Sequence, residues 1–370
     1  MRKTISMFLI VSMIFGQLLV FSGCEKKNEL QKFNNYYFDY FDTATTIVGY
    51  EKTKEEFDAV CEEITDLLNE YHRLFTIYNR YEGLNNLVTI NETTDGKHNV
   101  VAVDSKIIDM LIFAKEMYQK TNGNVNIAMG SVLKIWHIYR NDGLDDPANA
   151  ELPPMDALKE ASKHTNIEDL IIDEENNTVF LNDPQMSLDV GAIAKGYAVE
   201  QIAKHLEAKG VTGYILNVGG NVRTIGMADG DKWKVGIENP DTENEEKPYI
   251  EYLKIAGESV VTSGSYQRYY VVNGENYHHI IDPETLMPGT KYRSVSILTN
   301  DSGLGDAMST ALFLMDYEDG KSLVDATENV EAMWVMNDGE QRYSDGFKNY
   351  TFDYEAEKKT VQKSTVFFII

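Results

Sequence analysis

The stretch SLDVGAIAKGYAVEQIAKHL, residues 187–206, joins a short polar turn to an amphipathic helix. Asp189 and Gly191 come before the helix, and Ile193, Tyr197 and Leu206 recur at helical spacing on one face. The first amides of a helix have no partner within it, so such a turn is a natural seat for an anionic group. An ordinary capped helix explains the same pattern, and on this stretch alone both interpretations stay open.

The next stretch along the chain, YILNVGGNVRTIG at 214–226, predicts a strand that runs into Gly219 and Gly220. Two residues without side chains let a ligand approach the main chain closely. A tight turn or a bulge accounts for paired glycines equally well. The motif therefore indicates a site only in combination with others.

Hydroxyl groups and histidines follow in VVTSGSYQRYY (260–270) and YHHIIDPETLMP (277–288). His278, His279 and Asp282 lie within five residues of one another in the second stretch. A histidine beside a carboxylate is able to accept a proton near neutral pH. A structural role in a strand is the alternative for either histidine.

The stretch GLGDAMSTALFLM, residues 303–315, places Asp306 and Thr310 one turn apart on one face of a predicted helix from Asp306 to Tyr317. Carboxylate and hydroxyl oxygens are hard ligands, and Mg²⁺ binds few protein oxygens beside phosphates and water. The pair therefore predicts a magnesium site. An N-terminal capping Asp with a core-facing Thr is the alternative.

The whole pattern predicts an α+β fold. Amphipathic periodicity predicts surface helices at 54–74 and 104–120, and short strand-like segments separated by turns fill the second half. Hydrophobic residues make up 43% of the chain, which is enough for a sizeable core. A single domain of about 320 residues is large for one core, so two lobes with a cleft between them are expected.

The first 24 residues, MRKTISMFLIVSMIFGQLLVFSGC, have a basic start and an apolar run that ends in small residues and Cys24. This pattern is typical of a secretion signal at 1–23, with Cys24 as the lipidated residue; a retained membrane anchor is the alternative. A polar tether at 24–35, a folded domain at 36–355 and a tail at 356–370 complete the expected organisation. The net charge of −25 opposes binding to nucleic acid.

Taken in order, LDVGAIAKGYA, NVGGN, VTSGSYQRYY, HIIDPET and DAMSTALF resemble the ApbE family of FAD:protein FMN transferases. FDTATTI (41–47), FTIYN (75–79) and TNGNVNIAMGSVLKIW (121–136) extend the resemblance toward the amino terminus. The resemblance implies a T-fold-like α+β architecture with FAD in a cleft between two lobes and Mg²⁺ at its pyrophosphate. It also implies an extracytoplasmic, lipid-anchored enzyme whose acceptor is a membrane redox-pump or respiratory subunit.

The same resemblance implies roles for particular residues. His279 would be the catalytic base, with Asp282 as its helper. The carbonyl of Ala192, the carboxylate of Asp306 and the hydroxyl of Thr310 would hold Mg²⁺, together with Ser309. The flavin contacts would be Phe41, Tyr78, Asn124, Val125, Asn126, Asp189, Lys195 and Ile281.

Three residues depart from the family pattern: Asn126 stands in place of an Asp, Ser131 in place of a proline and Leu286 in place of a glycine. The expected reaction is attack of an acceptor Ser or Thr hydroxyl on the FMN-side phosphorus of FAD, with release of AMP. An FAD pyrophosphatase that uses water as the nucleophile fits the same residues. A non-catalytic FAD-binding lipoprotein is a third possibility.

Overall fold

The computed structural model describes residues 29–353 and 367–368. The predicted signal peptide, the lipidation residue Cys24 and most of the predicted tail lie outside these residues. Within the described part, no helix combines the length and the apolar character needed to span a membrane.

The described elements form a mixture of helices and short strands. The α-helices are α1 (Lys54–Phe75), α2 (Leu87–Asn91), α3 (Ser105–Lys120), α4 (Gly130–Asp145), α5 (Met155–Ala161), α6 (Ala194–Ala208), α7 (Ser302–Leu314) and α8 (Tyr317–Asp325). The strands are β1 (Gln31–Tyr40), β2 (Thr43–Glu51), β3 (Thr93–Thr94), β4 (Lys97–His98), β5 (Val101–Ala102), β6 (Leu170–Asp173), β7 (Thr178–Leu181), β8 (Tyr214–Val218), β9 (Asn221–Ile225), β10 (Trp233–Glu238), β11 (Tyr249–Ile255), β12 (Ser259–Gly264), β13 (Tyr269–Val272), β14 (Glu275–His278), β15 (Tyr292–Thr299), β16 (Val330–Met336), β17 (Gln341–Tyr343) and β18 (Phe367–Phe368).

An eight-stranded sheet in the order β1-β2-β8-β9-β12-β15-β16-β17 organises the molecule. Each of its neighbouring pairs is antiparallel. A smaller sheet in the order β11-β10-β18 and the hairpin β13-β14 lie outside it. A largely antiparallel sheet combined with helices is the pattern of an α+β protein, so the α+β part of the prediction is confirmed.

Both faces of the main sheet are covered. Successive side chains of a strand point to opposite sides, so the apolar residues of β2 and β8 pack into two different clusters. In β2 and β8, Ile47 and Leu216 pack with the apolar faces of α1, α3 and α6. Their neighbours Val48 and Ile215 pack instead with Trp233 and other residues of the smaller sheet. The result is three layers, with the main sheet in the middle.

Helices α6 and α7 approach each other closely at Gly196. A Cβ atom there would lie 2.5 Å from Asp306 Cβ and 2.7 Å from Asn221 Nδ2. The missing side chain therefore lets the first turn of α6 contact α7 directly. Nearby, Arg223 and Glu200 form a buried ion pair at 3.1 Å, and Glu200 also accepts a hydrogen bond from the Ser302 amide at the start of α7.

Three predicted boundaries need correction. The predicted tether is wrong at its end, because Gln31–Asn35 already pair with β2 as part of β1. Only Phe33 is hydrophobic in that segment, and the strand depends on main-chain hydrogen bonds to β2. In the predicted tail, Phe367 and Phe368 pair with β10 as a parallel strand.

The helix that carries Asp306 begins one turn earlier than predicted. Its cap is Asp301, whose carboxylate accepts a hydrogen bond from the Leu304 amide at 3.0 Å. Asp306 is therefore an interior residue of α7, and the capping role considered for it is wrong. The predicted one-turn spacing to Thr310 is unaffected.

We expect Gly196→Ala to destabilise the protein by about 1–3 kcal/mol, the usual cost of forcing a methyl group into a packed contact. The measurement is the midpoint of urea-induced unfolding of the protein. Gly320→Ala in α8 is the matched control, because the nearest atom to its added Cβ is the flexible tip of Leu312 at 3.1 Å. Equal midpoints for the two variants would contradict the close contact at Gly196.

Candidate active site

A cavity of about 1080 Å³ opens where the main sheet, α6, α7 and the β13-β14 hairpin meet. Its wall brings together segments from both halves of the sequence. The predicted site residues that line it are Phe41, Tyr78, Asn124, Val125, Asn126, Asp189, Ala192, Lys195, His279, Ile281, Asp306 and Thr310. Asp282 and Ser309 are the predicted residues that do not line it.

Asp306 is an almost completely buried carboxylate in the cavity wall. Its Oδ2 accepts a hydrogen bond from the Gly196 amide at 2.8 Å and lies 3.5 Å from Lys195 Nζ. Burial raises the pKa of Asp306, and the Lys195 charge and the Gly196 hydrogen bond oppose that rise. A buried carboxylate of this kind is stabilised by additional positive charge beside it.

Hydroxyl groups cluster one turn further along α7. Thr310 Oγ1 lies 3.4 Å from Ser263 Oγ, and both residues line the cavity. Ser309 is fully buried; its hydroxyl donates to the Asp306 carbonyl at 3.0 Å and lies 2.9 Å from Ser263 Oγ. The Ser309 hydroxyl is thus engaged by other protein groups and does not line the cavity, and its ligand role stays a prediction.

The donor set that remains fits a hard divalent cation. Among the described residues, no group of three or more His, Cys, Asp or Glu side chains is arranged to hold a metal. The predicted set needs only one such side chain, since Asp306 is joined by the Thr310 hydroxyl and the Ala192 carbonyl. These are all oxygens, and Mg²⁺ prefers oxygen ligands and completes its shell with phosphate and water.

His279 directly follows the last residue of β14 and lines the cavity. Its Nδ1 is 3.2 Å from the main-chain carbonyl of Arg268, whose oxygen also accepts the His279 amide at 3.1 Å. A carbonyl only accepts, so Nδ1 carries the hydrogen and Nε2 is left with a free lone pair. The His279 side chain is exposed to solvent within the open cavity. Partial desolvation there, followed by the Arg268 charge, lowers the pKa of His279 below its ordinary value.

Asp282 does not orient His279, and that prediction is wrong. Its carboxylate accepts hydrogen bonds from the amides of Glu284 at 2.7 Å and Thr285 at 3.2 Å. An Asp followed by Pro commonly closes a turn in this way, using its side chain on the backbone two residues ahead. The group that orients His279 is the main-chain carbonyl of Arg268. The sequence around His279 gives no sign of this partner, which lies eleven residues earlier.

The neighbouring His278 has a structural role. It is buried, its Nε2 lies 2.7 Å from the Gly289 carbonyl, and its Nδ1 accepts from the Ile280 amide at 3.2 Å. Burial lowers the pKa of His278, so the ring is held neutral. Of the two adjacent histidines, only His279 has a nitrogen available to a ligand in the cavity.

Two departures from the family pattern preserve the local backbone. Leu286 has a left-handed φ of 61°, the conformation for which glycine is the usual residue. Its carbonyl accepts from the Trp136 indole at 3.0 Å, and its side chain is buried. Asn126 bridges two segments, donating to the Thr165 carbonyl and accepting from the Ala128 amide, both at 2.9 Å.

Among the basic side chains of the cavity wall, four were not predicted: His72, His137, Arg140 and Arg268. Arg268 lies within a segment that had been singled out for its hydroxyl groups. His137 comes one residue after the quoted segment 121–136, and His72 lies in a helix predicted only as a packing element. Nothing local in the sequence distinguishes these side chains from surface residues.

The fold and the cavity define an α+β protein whose cavity is lined by cationic side chains and oxygen donors. The sequence profile of the ApbE family matches residues 41–334. An FAD:protein FMN transferase of Klebsiella pneumoniae is 33% identical over 279 residues, which cover 75% of this chain and 82% of the relative. That of Treponema pallidum is 33% identical over 261 residues, covering 66% and 70%. The chain therefore belongs to the ApbE family.

Solved structures agree with the observed fold. The ApbE protein of Thermotoga maritima is similar with a TM-score of 0.75 and 26% identity, covering 87% of this chain and 100% of its own. The flavin transferase ApbE of Vibrio cholerae gives a TM-score of 0.71 at 23% identity, covering 87% and 99%, and this second match supports the fold alone.

In the free protein we expect the His279 imidazole to titrate below the ordinary histidine pKa of about 6.5, because desolvation and Arg268 both disfavour its charged form. The neutral ring then persists on lowering the pH from 8 to 6. The measurement is an NMR titration of the histidine Cε1 protons, with His279→Gln to assign the resonance. A pKa at or above 6.5 would contradict the proposed environment.

Proposed function

We propose that this protein is a Mg²⁺-dependent FAD:protein FMN transferase. The observation that carries the proposal is the convergence of Asp306, Thr310 and His279 on one large cavity, in a chain of the ApbE family. The cavity volume of about 1080 Å³ is at the upper end of common small-molecule sites, as a dinucleotide requires. The relatives of Klebsiella pneumoniae and Treponema pallidum are both FAD:protein FMN transferases, which supports the same reaction here.

The proposed reaction transfers a phosphoryl-linked FMN to a protein hydroxyl. The acceptor oxygen forms a bond to the FMN-side phosphorus, the bridging P–O bond breaks, and AMP leaves. The acceptor proton passes to His279 Nε2, which is free because Nδ1 faces the Arg268 carbonyl at 3.2 Å. A neutral imidazole is the form that accepts this proton, in keeping with the lowered pKa of His279.

Positive charge for the phosphates comes from the chain and from the metal. Lys195 Nζ and the Arg268 guanidinium both influence Asp306 across the cavity wall. These cations would bind the pyrophosphate and orient its FMN-side phosphorus. Bound at Asp306, Thr310 and Ala192, Mg²⁺ would supply additional stabilisation of the charge that develops on the phosphate oxygens.

The architecture belongs to the proposal as well. A T-fold-like arrangement of two lobes with FAD between them is consistent with a cavity bounded on one side by the main sheet, α6 and α7. On the other side, the separate apolar cluster of α4, α5 and the β13-β14 hairpin provides the second wall. The isoalloxazine ring would lie among Phe41, Asn124 and Ile281.

The protein is further proposed to act outside the cytoplasm from a lipid anchor on Cys24. The support is the sequence pattern of residues 1–24. From that position it would reach a membrane redox-pump or respiratory subunit as the acceptor.

The test is incubation of residues 29–370 with FAD, Mg²⁺ and a flavin-acceptor domain, followed by intact-mass analysis of the acceptor. We expect the mass to rise by one FMN residue, with one AMP released per acceptor. His279→Gln should slow transfer by about 10²-fold or more, the usual contribution of a general base. FMN and AMP with an unmodified acceptor would make the protein a pyrophosphatase, and intact FAD would make it a binding protein.

Asp306→Asn should weaken Mg²⁺ binding, because it removes the charge while keeping a side chain able to accept from the Gly196 amide. Mn²⁺ titration followed by electron paramagnetic resonance measures the cation directly, without turnover. Asn is preferred to Ala, which would leave that buried amide unsatisfied. Asp301→Asn, at the cap of α7 and outside the cavity, is the control; equal Mn²⁺ affinity in both variants would remove Asp306 from the metal site.

A further inference from the structure

A line of three polar side chains lies in the cavity wall. Tyr78 Oη lies 3.1 Å from His137 Nδ1, and His137 Nε2 lies 3.8 Å from Asp189 Oδ2. All three residues line the cavity. Tyr78 and Asp189 were predicted flavin contacts, whereas His137, the residue between them, has no role in the reaction described above.

Asp189 and His137 are both held in place. The other oxygen of Asp189, Oδ1, accepts a hydrogen bond from the Gly191 amide at 2.9 Å, so Oδ2 is left for His137. His137 is carried by α4, which is fixed to the opposite wall by the Trp136 indole bond to Leu286. The imidazole is thus a rigid connection between the α6 turn and the segment that carries Tyr78.

The charges around His137 decide which of its ring nitrogens carries the hydrogen. Burial lowers the pKa of this imidazole, which opposes the effect of the Asp189 carboxylate, so the ring is neutral and has one N–H. The negative charge of Asp189 favours that hydrogen on Nε2, which leaves Nδ1 to accept from the Tyr78 hydroxyl. Partial desolvation of the Tyr78 hydroxyl in the cavity, followed by the Asp189 charge, raises the pKa of Tyr78 to about 12, so the hydroxyl keeps its proton to donate.

Tyr78 is 61% exposed even though its hydroxyl is anchored. The His137 ring packs against it with centroids 6.1 Å apart and the planes inclined at 45°. One face of the phenol is therefore free toward the cavity while the ring is held at its far end. A fixed aromatic face is what a planar heterocycle stacks on, since little side-chain entropy is lost on binding.

We propose that His137 is a positioning residue that holds Tyr78 as a stacking platform for a planar ring of the dinucleotide and keeps Asp189 aligned beside it. This inference rests on the proposed function for the identity of the ligand as FAD. It adds a role in binding for a residue that does not touch the reacting phosphorus.

The test is a double-mutant cycle on FAD binding, measured by flavin fluorescence in buffer with EDTA so that no turnover contributes. His137→Phe and Tyr78→Phe should each weaken binding by roughly five- to tenfold, the value of one hydrogen bond. The double variant should be no weaker than either single variant, because both remove the same contact. His137→Asn, which retains a hydrogen-bonding group near the Nδ1 position, should recover part of the affinity.

Tyr139→Phe is the matched control, since it removes a hydroxyl from the same helix α4 outside the cavity wall. Titrations with FMN and with AMP alone assign the stacked ring to one half of FAD, because only the affinity for that half should fall. In steady-state assays the KM for FAD should rise while kcat is retained. The midpoint of urea-induced unfolding is measured for every variant. An unchanged midpoint shows that a weaker affinity for FAD does not result from loss of folding.

Wild-type affinity in His137→Phe, or additive losses in the double variant, would overturn the positioning role. A fall in kcat with unchanged KM would also overturn it, by moving His137 into the chemical step. Failure of the wild-type protein itself to bind FAD would overturn the proposed function and this inference together. The first three results would reject the platform and leave the proposed function intact.

Discussion

The close contact between α6 and α7 at Gly196 is the constraint on which the site depends. Because residue 196 has no side chain, its amide reaches the Asp306 carboxylate at 2.8 Å and carries Lys195 to within 3.5 Å of it. Glu200 of α6 ties the same two helices together by accepting a hydrogen bond from the Ser302 amide of α7, and Arg223 of β9 forms a buried ion pair with that carboxylate. One packing contact therefore sets the position of a carboxylate, a cation and a helix start relative to one another.

The electrostatics of the cavity differ from those of the whole molecule. The chain carries a net charge of −25, yet the cavity wall has Lys195, Arg140 and Arg268 in addition to its carboxylates. Local charge, dipoles and low dielectric act over short distances, whereas solvent and salt screen the acidic exterior. A protein that repels polyanions overall is thus able to offer a binding site to the phosphates of one dinucleotide.

The local sequence identified candidate site residues well where both partners belong to the same helix or strand. Asp306 and Thr310 share a helical face, so their spacing was sufficient to pair them. It failed where the partner comes from another element: Asp282 serves its own turn, and the group that orients His279 is the carbonyl of Arg268 across the hairpin. The sequence also did not show that Ser309 lies outside the cavity wall, because the side of α7 that faces the cavity depends on what packs against the other side.

By itself the sequence determined the fold class, the ordered motifs of the family and most of the cavity wall, because hydrophobic periodicity and glycine positions act locally along the chain. Only the tertiary structure decided which side chains meet. The line from Tyr78 through His137 to Asp189 joins three segments, with Tyr78 and His137 separated by 59 positions. Long-range contacts of this kind arise from the packing of helices on the sheet, and no short pattern of residues encodes them.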